Sequence, residues 1–394
     1  MIQECRMMQE EIVKLRRDLH RIPELGCVLP ETCAYVEAYL KELGIPCRQI
    51  AENGGILAEI DTGKPGKTLL FRADMDALPV PEETGLPFSS EREGRMHACG
   101  HDAHTAMLLA AAEVILKHRE KLSGIVRLLF QTGEEVMDGA EMAIREGALE
   151  PRPDAVFGMH IGTIMGAEIP AGTVIAAPGC VMASCDRFLI RIKGIGCHGS
   201  TPEKGVDPIT VGAHIVTGLQ ELIARECPGR DARVLTVCRF TAGHTWNVIP
   251  ETAELEGTVR AVSDEVRQQI LGRIREIAQG IARTYRAEAE VEMALGSAPV
   301  INNPEMAELA AEAAAAAVGA DHVITQIAGP TMIAEDFASY LQRIPGAFLF
   351  LSSSNPAKGT DRPHHSSRFD IDEDVLWEGA AVFASIAERY LGGE

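Results

Sequence analysis

Two periodicities of apolar residues run along the chain and alternate from one segment to the next. Residues 9–21 and 31–43 carry apolar side chains at helical spacing and predict two helices. Residues 54–60 and 68–78 predict strands, and the segment DTGKPGK between them is typical of a hairpin turn. Residues 101–120 return to helical spacing and predict a long apolar helix.

The alternation continues to about residue 184 and returns after residue 297. Strands are predicted over 124–135 and 154–161, with a short helix over 139–149 between them. The last part of the chain predicts a strand at GAFLFLS and a closing helix over 372–391. Strands that alternate with helices favour an α/β domain with a mostly parallel central sheet.

The segment between these two parts has a different pattern. Its predicted elements follow the order βαββαβ: strand 186–194, helix 207–226, strands 233–244 and 251–262, helix 263–288 with Ser263 as its N-cap, and strand 288–295. This order is that of a ferredoxin-like α+β module. We therefore predict one α/β domain over residues 1–184 and 298–394, interrupted by an inserted domain over residues 185–297.

Composition narrows the possible functions. A chain of 394 residues is too long for one ordinary core, and its net charge of −20 disfavours binding to nucleic acid or anionic membranes. No apolar run reaches the roughly 18 residues of a membrane span, and the first residues are charged and amphipathic without the apolar segment of a signal peptide. We expect a cytoplasmic protein whose ten cysteines, none in a CxxC pair, are mostly reduced.

Side chains of the kinds that bind metal ions come at the ends of three of the predicted strands. Asp74 closes the run LLFRAD, Glu134 and Glu135 follow LLFQTG, and His160 follows VFGM. In open α/β sheets ligands bind beyond the carboxyl ends of the strands, so these side chains are expected in one crevice. Each motif alone is weak, because adjacent acids also form solvated turns and a histidine can be a packed core residue.

Two further motifs supply ligand types. Cys99 and His101 form a C-x-H pair in MHACGHDAHTA, where the predicted helix begins, and DRPHHSSRFD adds a late histidine pair. Thiolate, imidazole and carboxylate together suit Zn²⁺ and similar metals. Two ions about 3.5–4 Å apart can hold a hydroxide and polarise a carbonyl, while a carboxylate that is not a ligand acts as general base. The set is suited to amide hydrolysis.

The motifs also resemble those of a known family. They are DLHRIPELG, FRADMDALPVPEETGLPFSS, MHACGHDAHTAMLLAAA, LLFQTGEE, GMHIG, HGSTPEKGVDPI, NVIPETAELEGTVR, AEDFASYL and HHSSRFDIDED. Over nearly the whole chain, and in the same order, they resemble the hippuricase-like branch of the aminoacylase/carboxypeptidase metallopeptidase family. This branch includes N-acyl-amino-acid amidohydrolases, indole-acetyl-amino-acid hydrolases and N-acetyl-diaminopimelate deacetylases. The resemblance implies a dinuclear-metal, exopeptidase-like catalytic domain interrupted by a lid and dimerisation domain.

The resemblance also implies roles for single residues. The implied metal ligands are Cys99, His101, Glu135, His160 and His365, with Glu134 as general base and Asp74 as the acid that orients the site from below. Cys99 stands where sister branches have an aspartate and can bridge the two ions. His365 lies four residues before Phe369, as the last ligand does in the family, but Ser367 replaces the usual proline. The choice between His364 and His365 therefore stays open.

In the inserted domain the resemblance implies two substrate-binding residues. His198 matches a histidine that reaches the partner subunit's active site and polarises the scissile carbonyl, and Asn247 matches a polar group near the same oxygen. A turn that merely joins two strands is the alternative reading of the segment around Asn247. The implied assembly is a homodimer or homotetramer through this lid.

The leading hypothesis is a metal-dependent amidohydrolase of N-acyl amino acids, with N-acetyl or aromatic acyl groups. It would bind two divalent ions per subunit, Mn or Zn first, with Co or Ni also accepted. A metallo-carboxypeptidase or dipeptidase, and a non-catalytic ligand-binding relative, are the alternatives. A thiol enzyme with Cys99 as nucleophile is disfavoured, because it would leave Glu135, His160 and His365 without a role.

The polar residues that remain near these motifs receive structural predictions. His104, one helical turn after His101, is expected to support the metal ligands from behind. Asp102 is expected to cap or line the start of the helix. We expect His20 to serve packing and His97 to be structural.

Overall fold

The computed structural model describes residues 1–392, apart from the side chains of Ala294 and Leu295. Gly393 and Glu394, which end the predicted α/β domain, lie outside the described residues. The chain divides into two compact units. Unit 1 comprises Met1–Val181, Ile301–Thr331 and the chain from Asp336 onward, and unit 2 comprises Met182–Val300 and Met332–Glu335.

The borders of the units lie close to the predicted ones at residues 184 and 298, with one difference. Residues 332–335, which we predicted in the α/β domain, group with unit 2. A hydrogen bond from Ser297 Oγ to the carbonyl oxygen of Glu335, 3.0 Å long, ties this short segment to the rest of unit 2.

Each helix and strand predicted from periodicity is present, with bounds that differ by a few residues, and several short helices and strands were not predicted. The strands are β1 Cys47–Gln49, β2 Gly55–Asp61, β3 Lys67–Asp74, β4 Gly124–Gln131, β5 Ala155–Gly162, β6 Val174–Ile175, β7 Gly179–Met182, β8 Cys185–Lys193, β9 Cys197–His198, β10 Arg233–Ala242, β11 Val248–Ile249, β12 Thr252–Ala261, β13 Glu288–Ser297, β14 Val300–Asn302, β15 Val323–Ile324 and β16 Gly346–Ser352. The helices are α1 Ile2–Met7, α2 Gln9–His20, α3 Pro30–Glu42, α4 His101–Lys117, α5 Gly139–Arg145, α6 Pro208–Glu221, α7 Asp264–Thr284, α8 Pro304–Val318, α9 Ala338–Leu341 and α10 Leu376–Leu391.

Unit 1 is built on an eight-stranded mixed sheet in the order β1-β2-β4-β3-β5-β16-β6-β15. The four central strands, β4, β3, β5 and β16, are parallel, and β2 and β6 flank them as antiparallel neighbours. Strands at such a centre are covered on both faces, and β5 is accordingly buried throughout. The predicted α/β architecture with a mostly parallel sheet is confirmed.

The predicted hairpin between β2 and β3 is wrong. Strand β4 lies between them, pairing antiparallel with β2 and parallel with β3. The turn-forming segment DTGKPGK therefore connects two strands that do not pair with each other. Nearly every residue of β4 is buried, which fits a strand that is hydrogen-bonded to another strand on each edge and packed against other side chains on each face.

Helix α4 is apolar on every side because it is enclosed on every side. It packs against α2, α10 and β3, and its residues are buried from His101 to Ala112. Thr105 Oγ1 donates a hydrogen bond of 2.9 Å to the carbonyl oxygen of Asp74. This contact places the start of α4 at the carboxyl end of β3, where the predicted site residues gather.

Unit 2 is a ferredoxin-like α+β module, as predicted. Its antiparallel sheet has the order β10-β12-β8-β13, and α6 and α7 pack against one face. Strand β12 alternates buried and half-buried positions along its length, which is the pattern of a sheet with one covered face. Ser263 Oγ accepts from the backbone N–H of Val266 and caps α7. The predicted helix over 207–226 ends as α6 at Glu221 and continues as a π-helical turn to Glu226.

Over residues 1–392 no helix is both long and apolar enough to cross a membrane.

Candidate metal centre

The carboxyl ends of the central strands of unit 1 bring the predicted site residues together. Asp74 ends β3, the Thr132–Glu135 segment follows β4, and His160 lies near the end of β5. Helix α4 begins at His101, directly after Cys99 and Gly100. The expectation that these motifs meet at one edge of the sheet follows from the parallel arrangement of the strands.

Two groups of potential ligands share Cys99. One consists of Cys99, His160 and His364, the other of Cys99, His101 and Glu135, and within each group the ligand atoms lie within 4.8 Å of one another. Cys99 Sγ is 3.5 Å from His160 Nε2 and 3.6 Å from His364 Nδ1. The thiol therefore stands where the two donor sets meet.

The donors have the electronic properties of a metal site. Among the described residues, the buried atoms His101 Nε2 and Glu135 Oε1 have no hydrogen-bond partner, and they lie 3.9 Å apart. Buried polar atoms are costly to leave unpaired, and a divalent cation would bind both. Burial, with the charges of Glu135 and Glu134, raises the pKa of the Cys99 thiol well above its usual value, so a cation is needed to hold the thiolate. Sulfur, nitrogen and oxygen donors together fit a borderline divalent metal.

The hydrogen bonds of the histidines show which nitrogens are free to bind a metal. His101 Nδ1 is bonded to the carbonyl oxygen of Asp76 at 2.8 Å, and His160 Nδ1 to that of Ile161 at 2.8 Å. A carbonyl oxygen only accepts, so both rings carry a proton on Nδ1. His101 Nε2 then faces Glu135, and His160 Nε2 faces Cys99. This is the usual state of a metal-binding histidine.

His104 and His364 differ from these two histidines because their Nε2 atoms already accept hydrogen bonds. The backbone N–H of Ile161 donates to His104 Nε2, and that of Thr163 donates to His364 Nε2, at 2.8 and 2.9 Å. With Nε2 accepting, each neutral ring carries its proton on Nδ1. His364 then faces Cys99 with an N–H donor, and burial, which lowers the pKa of His364 to about 3, keeps the ring neutral. Its position beside Cys99 is therefore that of a hydrogen-bond donor to the sulfur.

His365, the predicted last ligand, belongs to neither three-residue group among the described residues. Its Nε2 lies 3.5 Å from Glu135 Oε1, and its side chain is 53% exposed. His365 is one of few non-glycine residues with positive φ, at 63°. The two neighbouring imidazoles point in different directions, His364 toward Cys99 and His365 toward Glu135. The structure thus places both histidines at the site, on different sides.

Asp74 and His104 are joined behind the ligands. Asp74 Oδ1 accepts from His104 Nδ1 at 2.5 Å, and Asp74 Oδ2 accepts from Arg72 Nη1 at 2.5 Å. Burial would raise the pKa of Asp74, but the positive charges of His101 and Arg72 hold it well below its usual range. His104 therefore lies behind the potential ligands and binds Asp74, and its supporting role stays a prediction.

Asp76 is a site residue that the motif reading missed. Its carboxylate accepts from the backbone N–H groups of Glu134 and Glu135, both at 3.0 Å, while its carbonyl oxygen accepts from His101. One residue thus orients the glutamate pair and a potential ligand. The available signal was a second acid in RADMDALP, two residues after Asp74, on the same side of an extended chain. Glu134 is buried in this turn but belongs to neither group around Cys99.

We expected Asp102 to cap or line the start of α4; it lies in the first turn, but the capping part of this expectation is wrong. Gly100 precedes the helix in the left-handed conformation, and no side chain caps it. Asp102 Oδ2 instead accepts from Arg16 Nε at 2.9 Å and from His20 Nδ1 at 2.7 Å. Asp102 is buried, and a buried carboxylate without a positively charged partner would be strongly destabilising. The ion pair with Arg16 therefore takes precedence over capping the helix. His97 is buried as well, and burial lowers its pKa to about 3, so it is a neutral internal residue.

The two predicted substrate-binding residues lie in unit 2. His198 is exposed on β9, and its Nδ1 accepts from Ser200 Oγ at 2.7 Å. Asn247 directly precedes β11, which pairs with β9, and its carbonyl oxygen accepts from the backbone N–H of Gly199. Both residues are therefore carried by one small two-stranded ladder.

Comparison with known proteins identifies the family. Residues 70–389 match the model of peptidase family M20/M25/M40. The chain is 38% identical over 386 residues to N-acetyl-L-cysteine deacetylase of Bacillus subtilis, covering 98% of this chain and 89% of that protein. It is 36% identical to thermostable carboxypeptidase 1 of Saccharolobus solfataricus, covering 98% of this chain and 97% of that protein.

A solved structure agrees with these matches. The YxeP protein of Bacillus subtilis, described as a dinuclear metal-binding peptidase of the M20 family, superposes with a TM-score of 0.82 at 36% identity. The match covers 97% of this chain and 98% of that one. The chain therefore belongs to peptidase family M20/M25/M40, as its motifs predicted, and is a hydrolase that acts on amide bonds.

Proposed function

We propose that this protein is a metal-dependent amidohydrolase that removes the acyl group from N-acyl amino acids. The observation that carries the proposal is the Cys99 thiol shared by two donor groups, with the buried atoms His101 Nε2 and Glu135 Oε1 beside it, neither of which has a hydrogen-bond partner in the described part of the chain. The similarity to a deacetylase of N-acetyl-L-cysteine supports a small N-acyl substrate.

The proposed ligands of two divalent ions are Cys99, His101, Glu135, His160 and His365. Manganese or zinc fits this set, and cobalt or nickel would also bind. His365 is preferred to His364, because the Thr163 N–H occupies His364 Nε2 and leaves a protonated Nδ1 facing Cys99. His364 then donates to the thiolate. The bound ions would lower the pKa of a water molecule and polarise the substrate carbonyl.

The remaining chemistry falls to protein side chains. Glu134, adjacent to a ligand but outside both groups, takes the proton from the attacking water and delivers it to the leaving amine. Asp76 holds the backbone of Glu134 and Glu135, so that one acid can act as base while its neighbour binds metal. Asp74, fixed by Arg72 and His104, orients the site from below.

His198 and Asn247 are proposed to bind the carbonyl oxygen of the substrate, His198 acting in the partner subunit. The corresponding assembly is a homodimer or homotetramer through unit 2. Exposed apolar side chains beside the ladder that carries both residues support such an interface: Trp246 is 93% exposed and Val248 is 49% exposed. The dimer and the cytoplasmic location stay predictions.

A metallo-carboxypeptidase or dipeptidase is the second candidate, and the 36% identity to thermostable carboxypeptidase 1 favours it. Both candidates use the same chemistry, so substrate preference distinguishes them. We would measure kcat/KM on N-acetyl amino acids, N-benzoyl amino acids, N-acetyl-diaminopimelate and dipeptides. Preference for an acyl substrate supports the proposal, and preference for peptides assigns the second candidate.

Metal dependence is tested by chelation. EDTA should abolish hydrolysis, and Mn²⁺ or Zn²⁺ should restore it. Full activity after verified metal removal would contradict the proposed mechanism. A metal-replete protein without activity on any of these substrates would identify the non-catalytic, ligand-binding alternative.

A further inference from the structure

The motif AEDFASYL contains a buried carboxylate that the proposed mechanism does not use. Asp336, which is 2% exposed, is the first residue of the last stretch of unit 1. It accepts hydrogen bonds from Arg72 Nη2 at 2.7 Å, from Gln131 Nε2 at 2.9 and 2.8 Å, and from the backbone N–H of Ala140 at 2.8 Å. Three segments distant in sequence therefore meet at one side chain.

Two of these bonds bracket the turn that carries the glutamate pair. Gln131 is the last residue of β4, immediately before the Thr132–Asp138 turn, and Ala140 lies in the first turn of α5, immediately after it. A carboxylate bonded to both holds the two ends of the turn together. Asp76, on the other side, holds the middle of the turn through the backbone of Glu134 and Glu135.

The third bond connects Asp336 to Asp74 through a buried arginine. Arg72 is 1% exposed, and its guanidinium bonds to Asp74, Asp336 and Gln131 Oε1. Gln131 Oε1 also accepts from the Tyr340 hydroxyl at 2.8 Å. The N–H donors of a guanidinium lie in one rigid plane. A partner that binds one side of the group therefore also fixes the direction in which the donors on the other side point.

We propose that Asp336 is a positioning residue: it fixes the turn that carries Glu134 and Glu135, and it holds Arg72 against Asp74. It binds these supporting residues, and one of its carboxylate oxygens lies within 4.8 Å of a carboxylate oxygen of Glu134. This inference rests on the proposed amidohydrolase function, so its test includes one measurement that needs no substrate.

The test variant is Asp336→Asn, which preserves shape but removes the charge and one acceptor. We expect kcat for amide hydrolysis to fall about 10–100-fold, as for supporting residues of metal sites, with KM nearly unchanged and metal content, measured by ICP-MS, close to wild type. We also expect faster amide hydrogen exchange in the peptide covering residues 132–140. An unchanged kcat, or unchanged exchange in that peptide, would overturn the proposal.

The matched control is Asp186→Asn in unit 2. Asp186 is also a buried carboxylate, and it accepts from Arg267 Nε and Nη2, both at 2.8 Å. This variant should lower the melting temperature without changing kcat or exchange in residues 132–140. A similar loss of kcat in both variants would assign Asp336 a general structural role instead.

Two outcomes remain to be separated. If the wild type hydrolyses no amide substrate, the proposed function fails, while the exchange experiment still tests the positioning of the turn. If Asp336→Asn does not fold, Tyr340→Phe serves, since it removes one bond to Gln131 Oε1 and leaves Asp336 intact. It should increase exchange in residues 132–140 to a smaller degree, and no increase would contradict the proposal.

Discussion

The ion pairs of arginine side chains differ in solvent exposure between the two units. In unit 1, Arg16 and Arg72 are each 1% exposed and bind carboxylates that adjoin the predicted site. In unit 2, Arg187, Arg191 and Arg239 lie on one face of the sheet, 53%, 45% and 46% exposed, and pair with glutamates on neighbouring strands. The ion pairs beside the predicted site of unit 1 are therefore internal, whereas those on this sheet face of unit 2 lie at the surface.

Their energetic consequences differ accordingly. Removing one partner of a buried pair leaves an unpaired charge in a medium of low polarity, which typically costs about 3–5 kcal/mol. An exposed pair gains little, because water solvates each partner almost as well. Changes to the internal polar groups of unit 1 should therefore alter chemistry or stability, and changes to the sheet face of unit 2 should not.

The largest effect is expected for the proposed base. Glu134→Gln should reduce kcat by about 10²–10⁴-fold, since an amide cannot accept the proton of the attacking water. The metal content, measured by ICP-MS, should stay near wild type. Loss of metal in this variant, with metal retained in Glu135→Gln, would exchange the roles of the two glutamates.

The histidine pair is tested by comparing His365→Ala with His364→Ala. The first should lose bound metal, because it removes a proposed ligand. The second should keep both ions at saturating metal but shift the thiolate-to-cobalt charge-transfer band of the cobalt-substituted protein, since the donor to Cys99 is gone. The reverse pattern would make His364 the ligand.

A smaller loss is expected for Asp76→Asn. The amide retains one acceptor oxygen for two N–H donors, so the turn with Glu134 and Glu135 loosens. We expect kcat to fall about 10–100-fold, in the range of other supporting residues of metal sites. Steady-state kinetics would measure it, and a rise in KM at constant kcat would indicate a role in substrate binding instead.

The effect of pH on stability should be visible at Glu82. Burial opposes ionisation, but hydrogen bonds from His20 and the Ser90 N–H lower the pKa of Glu82 to about 2. A depressed folded-state pKa means that this stabilisation is complete above the unfolded pKa of about 4.3 and lost as pH falls toward 2. The difference in melting temperature between wild type and Glu82→Gln, measured on metal-free protein, should shrink over this range. A difference in melting temperature that stays constant with pH would contradict this role of Glu82.

The smallest effect is expected on the sheet face of unit 2. Arg239→Ala removes a 2.7 Å contact with Glu256, yet it should leave kcat/KM, metal content and the melting temperature essentially unchanged. A large drop in melting temperature would show that the cross-strand charges act as a cooperative network, which would remove the contrast between the units.

The exposed ladder of unit 2 is a special case, because His198 is proposed to act in the partner subunit. Mixing His198→Ala subunits with Glu134→Gln subunits should produce heterodimers with partial activity. No recovery in verified heterodimers would contradict a role in the partner.

The sequence was sufficient for whatever depends on local patterns. Helical and strand periodicity predicted the two architectures, since the burial of one face of an element, or of the whole element, determines the spacing of apolar residues along it. The five motifs around Asp74, Cys99, Glu135, His160 and the histidine pair predicted which side chains lie close together, because parallel strands end at the same edge.

Other features depend on partners that no local pattern reveals. The turn chemistry of DTGKPGK was read correctly as a turn, but only the pairing of β4 with both β2 and β3 shows that it closes no hairpin. Asp102 lies in the first turn of α4, where an acid commonly interacts with the exposed N–H groups, yet Arg16, 86 residues away, binds its carboxylate instead. The partner of a buried charge is thus determined by which oppositely charged side chain the tertiary fold brings next to it.

The sequence alone thus specified the fold class and the residue types of the site, because both follow from periodicity and from the chemistry of side chains at strand ends. The protonated nitrogen of His364, the direction of His365, and the roles of Asp76 and Asp336 were decided by tertiary structure. Each depends on a hydrogen bond whose donor and acceptor are brought together only when distant segments pack, and such bonds select one state of a side chain from several that the sequence allows.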